Sequence, residues 1–308
     1  MKASKLIWKN GQMVAWQDAT VHVMAHGLQY GTTVFEGIRC YATHLGPAIF
    51  RLGAHTRRFV DSARAYRMVL PYQADEINAA CRRVISDNGL TSAYIRPLAY
   101  RGYGSIAVDP QDKCPVEMAI AAFEFGAYLG ATAVEQGIDV CVTSWHRLTS
   151  ASNPVLAKAG GHYTNAYLIA AEAHANGFGE GIAVTAQGHL AEASASNLFL
   201  VRSGTVYTPP LSAGILGGIT RDTVIELARS LDLRVVEQVM PRDVLYSCDE
   251  MFLTGTAAEI TPVRSVDRIP VGNGLVGPVT QSIQQAFFGL FDGKTEDRWA
   301  WLDLIEST

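Results

Sequence analysis

The sequence lacks the features that would associate it with a nucleic acid or a membrane. Its acidic and basic residues nearly balance, with a formal net charge of -4 over 308 residues, and it has no long basic run. We therefore expect no nucleic-acid partner and no binding to an anionic membrane surface. No apolar stretch approaches the roughly 20 residues that span a bilayer, and the first residues contain no apolar segment of signal-peptide type. We expect a cytoplasmic protein.

Motifs for metal binding and for nucleophilic hydrolysis are also missing. The five cysteines are scattered without a CxxC pair, and the eight histidines have no helical metal-ligand spacing. The sequence therefore predicts no metal site. It contains no HExxH, no GxSxG and no P-loop. Scattered cysteines fit a reducing compartment, which agrees with a cytoplasmic location.

The chain has the composition of a globular protein with a large core. Hydrophobic residues make up 48% of it, and its length favours two domains. In the first part, short strands alternate with amphipathic helices, and Asn10-Gly11 is a strong hairpin signal. The second part is rich in strands. We predict an α/β (α+β) fold with a small domain at 1–125, an interdomain loop at 126–136 and a larger domain at 137–308.

One glycine motif has the pattern of a dinucleotide-binding turn. Gly272–Gly277 matches G-x-G-x-x-G and precedes a predicted helix, as such turns do. Only a short strand precedes it, however, and a polar segment follows the helix, so a βαβ unit is not completed. We interpret Gly272–Gly277 as a surface turn before the last helix.

Three stretches together indicate one enzyme class. They are AKAGGHY around Lys158, the segment from Glu192 to Arg221 that begins EASASNLF and ends LGGITR, and TGTAAEITPV at Thr254–Val263. These stretches resemble the class IV (fold type IV) aminotransferases, which use pyridoxal 5'-phosphate (PLP). The second stretch fits the class signature from end to end.

Further segments resemble the bacterial branched-chain amino-acid aminotransferases within that class. YGTTVFEGIR at Tyr30–Arg39 and YIRP at Tyr94–Pro97 are two of them, and the resemblance covers essentially the whole chain. It implies a small N-terminal α/β domain and a larger pseudo-barrel domain. It also implies transamination between leucine, isoleucine or valine and 2-oxoglutarate, in a homodimer or a hexamer built from dimers.

The resemblance implies a set of residues that hold PLP. Lys158 would bind the cofactor covalently and then act as general base. Glu192 would keep the pyridine nitrogen protonated, and Tyr163 would hydrogen bond to the phenolic oxygen. The phosphate would lie at a helix N-terminus, with Thr220 as the expected N-cap. The residues implied for the phosphate are Arg58, Gly218, Ile219, Thr220 and Thr256. From the sequence alone, Arg58 cannot be told apart from its neighbour Arg57.

The implied substrate pocket must accept either an alkyl side chain or the carboxylate of glutamate. By resemblance, Tyr94 and the backbone amides at Thr256 and Ala257 hold the α-carboxylate. Arg96 meets the second carboxylate of glutamate, for which a guanidinium is well shaped. The implied pocket lining is mainly aromatic: Tyr30, Phe35, Val108, Phe125, Tyr128 and Tyr163. A neighbouring subunit's loop, carrying Ile106 and Val108, would complete the pocket.

The chain departs from its relatives at two places. Gly217-Gly218 stands where many have Pro-Gly, which should loosen the backbone of the phosphate loop. Glu124-Phe125 stands where close relatives carry Pro-Trp, so one pocket wall should be smaller.

Three alternative functions compete with this hypothesis. A D-amino-acid aminotransferase or (R)-amine transaminase would keep Lys158 and Glu192, but YIRP and GTAAEITPV favour the branched-chain reading. An aminodeoxychorismate-type lyase shares the fold, and the aromatic pocket argues against it. A binding protein without catalysis would be expected to lack Lys158.

Overall fold

The structure is a computed structural model that describes residues 2–126, 129–130 and 132–305. The chain forms two compact units, and neither is continuous in sequence. The first unit takes its described residues from Met1–Gly126, Ala157–Gly161 and Phe291–Thr308. The second takes them from Ala127–Leu156 and His162–Leu290.

Short strands make up both units, with α-helices between them. In chain order the strands are β1 Lys2–Ala3, β2 Leu6–Lys9, β3 Gln12–Ala15, β4 Thr33–Phe35, β5 Ile38–Thr43, β6 Gly46–Phe50, β7 Ala93–Arg101, β8 Val116–Glu124, β9 Ile138–Val142, β10 Glu180–Val184, β11 Leu190–Ala193, β12 Asn197–Arg202, β13 Thr205–Thr208, β14 Val235–Glu237, β15 Glu250–Gly255, β16 Glu259–Val266, β17 Ile269–Pro270 and β18 Leu302–Leu304. The helices are α1 His26–Tyr30, α2 Leu52–Ala65, α3 Ala74–Ser86, α4 Ala133–Gln136, α5 Tyr163–Ala175, α6 Ile219–Ser230 and α7 Pro278–Asp292.

The first unit is built on an antiparallel sheet. Its strand order is β18-β6-β5-β7-β8-β2-β3, with β1 beside β8 and β4 beside β7. The predicted hairpin is confirmed, because Asn10 and Gly11 join β2 to β3 with φ angles of 46° and 89°. Such positive values are what a tight two-residue hairpin turn requires. Helices α2 and α3 lie against the sheet, and Phe59, Ile77 and Ile95 are buried in the core between them.

The second unit contains a closed barrel of six strands. Strands β9, β10, β11, β12, β15 and β16 each pair with the next, and β16 pairs back with β9. Strand β9 is parallel to both of its neighbours, whereas the other pairs in the ring are antiparallel. Ile182, Leu198 and Leu253 belong to its buried apolar core. The predicted α/β fold with a barrel-like second domain is therefore confirmed.

The division into units differs from the sequence boundaries at two segments. The larger domain predicted from the sequence comprises all of residues 137–308. In the structure, Ala159 forms a β-bridge with Val34 of β4, and β18 pairs with β6. Backbone pairing thus joins both segments to the first unit, and a composition-based boundary cannot detect such returns of the chain. Among the described residues, none of the helices is long and apolar enough to cross a membrane.

Candidate active site

The backbone of Lys158 is held on both sides within the first unit. Its N–H donates to Ser62 Oγ at 2.9 Å, and its carbonyl accepts from the Phe35 N–H at 3.0 Å. The side chain is half-buried, with Nζ 5.0 Å from the centre of the Phe35 ring. Because the backbone is fixed, the amine can move only through its own side-chain torsions.

The small residues beside Lys158 are required by the protein itself. Small neighbours would also leave room for a cofactor to reach the lysine nitrogen. In the structure, a Cβ at Gly160 would overlap the hydroxyl of Thr33, which belongs to β4. Ala159 is fully buried against the same strand. Close approach of the lysine segment to β4 therefore explains Gly160 and Ala159.

A buried acid that the sequence analysis missed lies next to this segment. Glu36 is fully buried and accepts hydrogen bonds from Arg58 Nε at 2.7 Å and Arg58 Nη2 at 2.8 Å. His55 Nδ1 lies 2.7 Å from Glu36 Oε2. Burial alone would raise the pKa of the Glu36 carboxyl, but Arg58 and His55 outweigh it and hold that pKa well below its usual range. One sequence signal was available, because a charge within the apolar run Val34–Ile38 needs a buried partner.

The same contacts distinguish Arg58 from Arg57. Arg57 is exposed on α2, whereas the side chain of Arg58 is only 13% exposed and is fixed by Glu36. Burial lowers the pKa of His55, despite the opposing effect of Glu36, whereas a guanidinium keeps its charge throughout the ordinary pH range. Arg58 is therefore the cation that Glu36 holds in this cluster.

Four of the predicted substrate residues come together in the first unit. The guanidinium carbon of Arg96 lies 4.7 Å from the ring centre of Phe35 and 5.4 Å from that of Tyr94. The Phe125 ring lies 4.9 Å from that of Tyr94. Arg96 Nε is buried and has no hydrogen-bond partner among the described residues. The cluster thus combines apolar ring faces with a cation that can accept a further ligand.

Two other predicted pocket residues of the first unit, Tyr30 and Val108, lie on or beside a different loop. The Tyr30 hydroxyl donates to the Ile106 carbonyl at 2.8 Å. Val108, two residues further along the same loop, is among the most exposed apolar side chains in the described chain. Tyr128 lies outside the described residues.

In the second unit, Glu192 is buried, forms an ion pair with Arg147 and accepts hydrogen bonds from Asn197 and Leu216. Arg147 Nη2 lies 2.6 Å from Oε1. Asn197 Nδ2 and the Leu216 N–H donate to Oε2 at 2.9 and 3.1 Å. The sequence analysis missed Arg147, because it lies 45 positions before Glu192 and no local motif connects the two residues. The carboxylate is held in one orientation by charge and by neutral donors.

The loop before α6 is shaped by one close approach. A Cβ at Gly218 would overlap the side-chain oxygen of Asn197, so only glycine fits there. Gly218 is also the N-cap of α6. The predicted N-cap, Thr220, is therefore wrong by two positions: it lies in the first turn, where it is buried. Threonine is locally preferred at an N-cap, but here the helix begins after the glycine that the close approach of Asn197 requires.

The other predicted cofactor and carboxylate groups of the second unit lie at the ends of secondary-structure elements. Tyr163 is the first residue of α5 and is half-buried. Thr256 and Ala257 follow β15 directly. Thr254, within β15 and paired in register with Asn197, has a buried hydroxyl with no hydrogen-bond partner among the described residues. An uncompensated buried hydroxyl is costly, and a further polar group within reach would offset that cost.

The glycine motif at Gly272–Gly277 cannot bind a phosphate on α7. The N–H groups of Val279 and Thr280 already donate to the carboxylate of Glu250, at 3.0 and 2.7 Å. A second anion at this helix N-terminus would meet the Glu250 charge. The interpretation as a turn before the last helix agrees with these contacts. In the described part of the chain, no group of three or more His, Cys, Asp or Glu residues could hold a metal ion.

Comparison with known proteins settles the family. Residues 33–266 match the family model described as amino-transferase class IV. The chain belongs to the class IV aminotransferases. It is 53% identical to the branched-chain-amino-acid aminotransferase of Salmonella typhimurium over 99% of both chains. A crystal structure of the Escherichia coli branched-chain amino acid aminotransferase covers 98% of this chain and 100% of its own, with 53% identity and a TM-score of 0.97. The branched-chain amino acid aminotransferase of Thermobaculum terrenum, in its PLP form, has 35% identity and a TM-score of 0.92, with 99% of this chain and 100% of its own covered.

Class IV aminotransferases use PLP, and the groups present in this member fit that cofactor. The first unit supplies an amine, Lys158, on a fixed backbone. The second supplies an oriented carboxylate, Glu192, and the N-terminus of α6, where first-turn N–H groups lack acceptors within the helix. The buried hydroxyl of Thr254 adds a polar atom that is unpartnered among the described residues. Considered one unit at a time, a lysine amine suits the aldehyde of PLP, and a fixed carboxylate and an anion-binding helix end suit its ring nitrogen and its phosphate.

Proposed function

We propose that this enzyme transfers amino groups between L-leucine, L-isoleucine or L-valine and 2-oxoglutarate, giving branched-chain 2-oxo acids and L-glutamate. One observation of the structure carries the proposal: Arg96 lies against the rings of Phe35 and Tyr94. Ring faces suit an alkyl side chain, and the guanidinium suits the second carboxylate of glutamate. The near-full-length identity to branched-chain aminotransferases supports the same substrates.

PLP supplies the electron sink for this reaction when it is bound, and the residues of the chain hold it and move protons. Lys158 would hold the cofactor covalently through Nζ. Once the incoming substrate amine has displaced it, the freed Nζ would carry the proton to and from the substrate Cα. Glu192 serves the pyridine nitrogen, because a fixed carboxylate favours the protonated ring. Tyr163 is assigned to the phenolic oxygen.

The phosphate is assigned to two kinds of donor. Arg58, whose guanidinium is held by Glu36, is assigned the counter-charge. The donors at the N-terminus of α6 and after β15 supply backbone N–H groups and hydroxyls. The residues assigned to this role in the second unit are Gly218, Ile219, Thr220 and Thr256.

The substrate residues follow the same chemistry. Tyr94 and the backbone at Ala257 are assigned to the α-carboxylate, and Phe35 and Phe125 to the alkyl side chain. The remaining assignments to the pocket lining are Tyr30, Val108 and Tyr128.

We further propose a homodimer, or a hexamer built from dimers, in the cytoplasm. The side chains of Leu28, Ile106 and Val108 are apolar and exposed in the single chain, as expected of a surface that another subunit covers. All five cysteines are unpaired, which fits a reducing compartment. Sedimentation of the purified protein tests the assembly, and a monomer would contradict it.

Borohydride reduction and a substrate comparison test the proposed reaction. Reduction should fix PLP on the peptide that contains Lys158, and the Lys158→Ala variant should take up no stable label. Lys294, an exposed lysine, provides the matched control, since Lys294→Ala should label normally. Turnover of L-leucine with 2-oxoglutarate should be faster than turnover of D-alanine or an (R)-arylamine. Label on another peptide would refute the role of Lys158, and faster turnover of D-alanine or an (R)-arylamine would refute the substrate class.

A further inference from the structure

The most unusual charged group outside the assigned roles is the fully buried Glu36. We propose that Glu36 is a positioning residue that orients the guanidinium of Arg58 toward the cofactor phosphate and fixes its position relative to Lys158. This inference rests on the proposed function, in which Arg58 binds the phosphate. It adds a residue that never touches the cofactor but determines how well a phosphate-binding residue is presented.

Two hydrogen bonds between Arg58 and Glu36 hold the guanidinium in the plane of the carboxylate. Arg58 Nε donates to one carboxylate oxygen and Nη2 to the other, at 2.7 and 2.8 Å. Two parallel bonds of this kind fix the orientation of the guanidinium as well as its distance. A guanidinium has five N–H groups, and Glu36 engages two of them. A single hydrogen bond would leave rotation about the bond axis free.

Glu36 is itself rigidly placed. Its backbone N–H donates to the Pro97 carbonyl at 2.9 Å, directly after β4. Oε2 also accepts from His55, which lies three residues before Arg58 on α2. The carboxylate thus binds two residues on one face of the helix. A buried ion pair is weak support for stability, because well-packed apolar residues can replace it at little cost. Orientation is a better explanation for such a pair.

A closed circuit of bonds connects this contact to the lysine. The hydroxyl of Ser62 donates to the Arg58 carbonyl at 2.7 Å, and the Lys158 N–H donates to Ser62 Oγ at 2.9 Å. The Lys158 carbonyl accepts from the Phe35 N–H at 3.0 Å, and Phe35 is covalently bonded to Glu36. Every link lies in the first unit. The distance between the Arg58 guanidinium and the lysine is therefore set by a ring of short contacts.

Binding of two cofactor forms separates this role from a general effect on the site. Apo-protein is titrated with PLP and with pyridoxal, which has the same ring and aldehyde but no phosphate. The ratio of the two Kd values measures the benefit of the phosphate. In Glu36→Gln this ratio should fall about tenfold, while the affinity for pyridoxal stays within about twofold of the wild type. Asp61→Asn changes the same charge at an exposed position of α2 and should leave both affinities unchanged.

A second variant tests whether Glu36 acts through Arg58. Arg58→Lys keeps the charge but cannot make the two-point contact, so the ratio should fall in this variant as well. Adding Glu36→Gln to Arg58→Lys should cause no further fall, and an additive loss would overturn the proposal. Glu36→Asp, which keeps the charge but is shorter, serves the same comparison if Glu36→Gln does not fold.

The outcomes also distinguish this inference from the proposed function. If the wild type binds PLP no better than pyridoxal, or takes no label at Lys158, the proposed function fails. If the wild type behaves as expected and Glu36→Gln keeps the wild-type ratio, only the positioning role of Glu36 is refuted.

Discussion

Replacing Arg147 by methionine should destabilise the second unit strongly. The Arg147 and Glu192 side chains are only 9% and 5% exposed, and their charged atoms are 2.6 Å apart. Arg147→Met removes the cation of this ion pair from the buried Glu192 carboxylate, while the neutral donors Asn197 and Leu216 still bind to it. Removing one partner of a buried ion pair typically costs about 3–5 kcal/mol. Because methionine fills a similar volume, we attribute this loss to the uncompensated charge.

The size of the effect follows from solvent exposure, and a matched pair can show this. Arg229 and Glu226 form an ion pair at 2.9 Å on α6, with side chains 56% and 38% exposed. An exposed pair contributes about 1 kcal/mol or less, so Arg229→Met should have a small effect. The assay is urea unfolding of the apo-protein, followed by far-UV circular dichroism, with the free energy of unfolding taken from the linear extrapolation.

Two outcomes would refute this reasoning. The first is a loss in Arg147→Met no larger than that in Arg229→Met, which would mean that the Glu192 charge is well solvated in the folded protein. The second concerns Glu192→Gln in the Arg147→Met background. The neutral amide removes the buried charge, so the double variant should be more stable than Arg147→Met. A double variant that is less stable would contradict the electrostatic explanation.

Two further predictions concern the buried Glu250 and the buried pair of His55 and Glu36. Glu250→Gln should lower the free energy of unfolding by about 1 kcal/mol. The variant loses the negative charge at the N-terminus of α7, and one of its two side-chain acceptors for the N–H groups of Val279 and Thr280 is replaced by an amide nitrogen. A urea midpoint equal to that of the wild type would count against this prediction. Stability should also fall on acidification, since burial lowers the pKa of His55, and Arg58 and His55 override burial to lower that of Glu36. On acidification, these two groups bind protons in the unfolded chain before they do so in the folded protein. The free energy of unfolding should therefore decrease as the pH drops through about 6.5 and then about 4.5. Urea titrations from about pH 8 to about pH 4 test this, and a urea midpoint that stays constant would contradict it.

Local signals predicted the elements of the fold but not how they close. The turn at Asn10-Gly11 and the helices α2 and α3 each arise from residues near one another in sequence, so their patterns are visible in the chain. The pairing of β11 with β12 that closes the barrel is different, because it involves only Glu192 and Asn197 in register. The return of Ala159 to β4 is a long-range contact with no local pattern. Such contacts depend on the assembled core rather than on propensity.

The candidate site shows the same limit. The class signature drew attention to Lys158 and Glu192, but their supporting residues Glu36 and Arg147 lie far from them in sequence. The misplaced N-cap has a related cause, since Gly218 is required by the side chain of Asn197. In each case a buried polar group from another element determined the outcome. Residue preferences for isolated helices or strands contain no information about such a group.

The barrel of the second unit is closed by the pairing of β11 with β12, which occurs at the proposed functional residue Glu192. Glu192 and Asn197 are register partners across it, and Asn197 also donates a side-chain hydrogen bond to Glu192. The pairing that closes the barrel and the hydrogen bond that orients the carboxylate thus involve the same two residues. If β11 and β12 separate, Glu192 loses this orientation. A ligand that binds to Glu192 should therefore stabilise the closed barrel and slow the separation of these two strands.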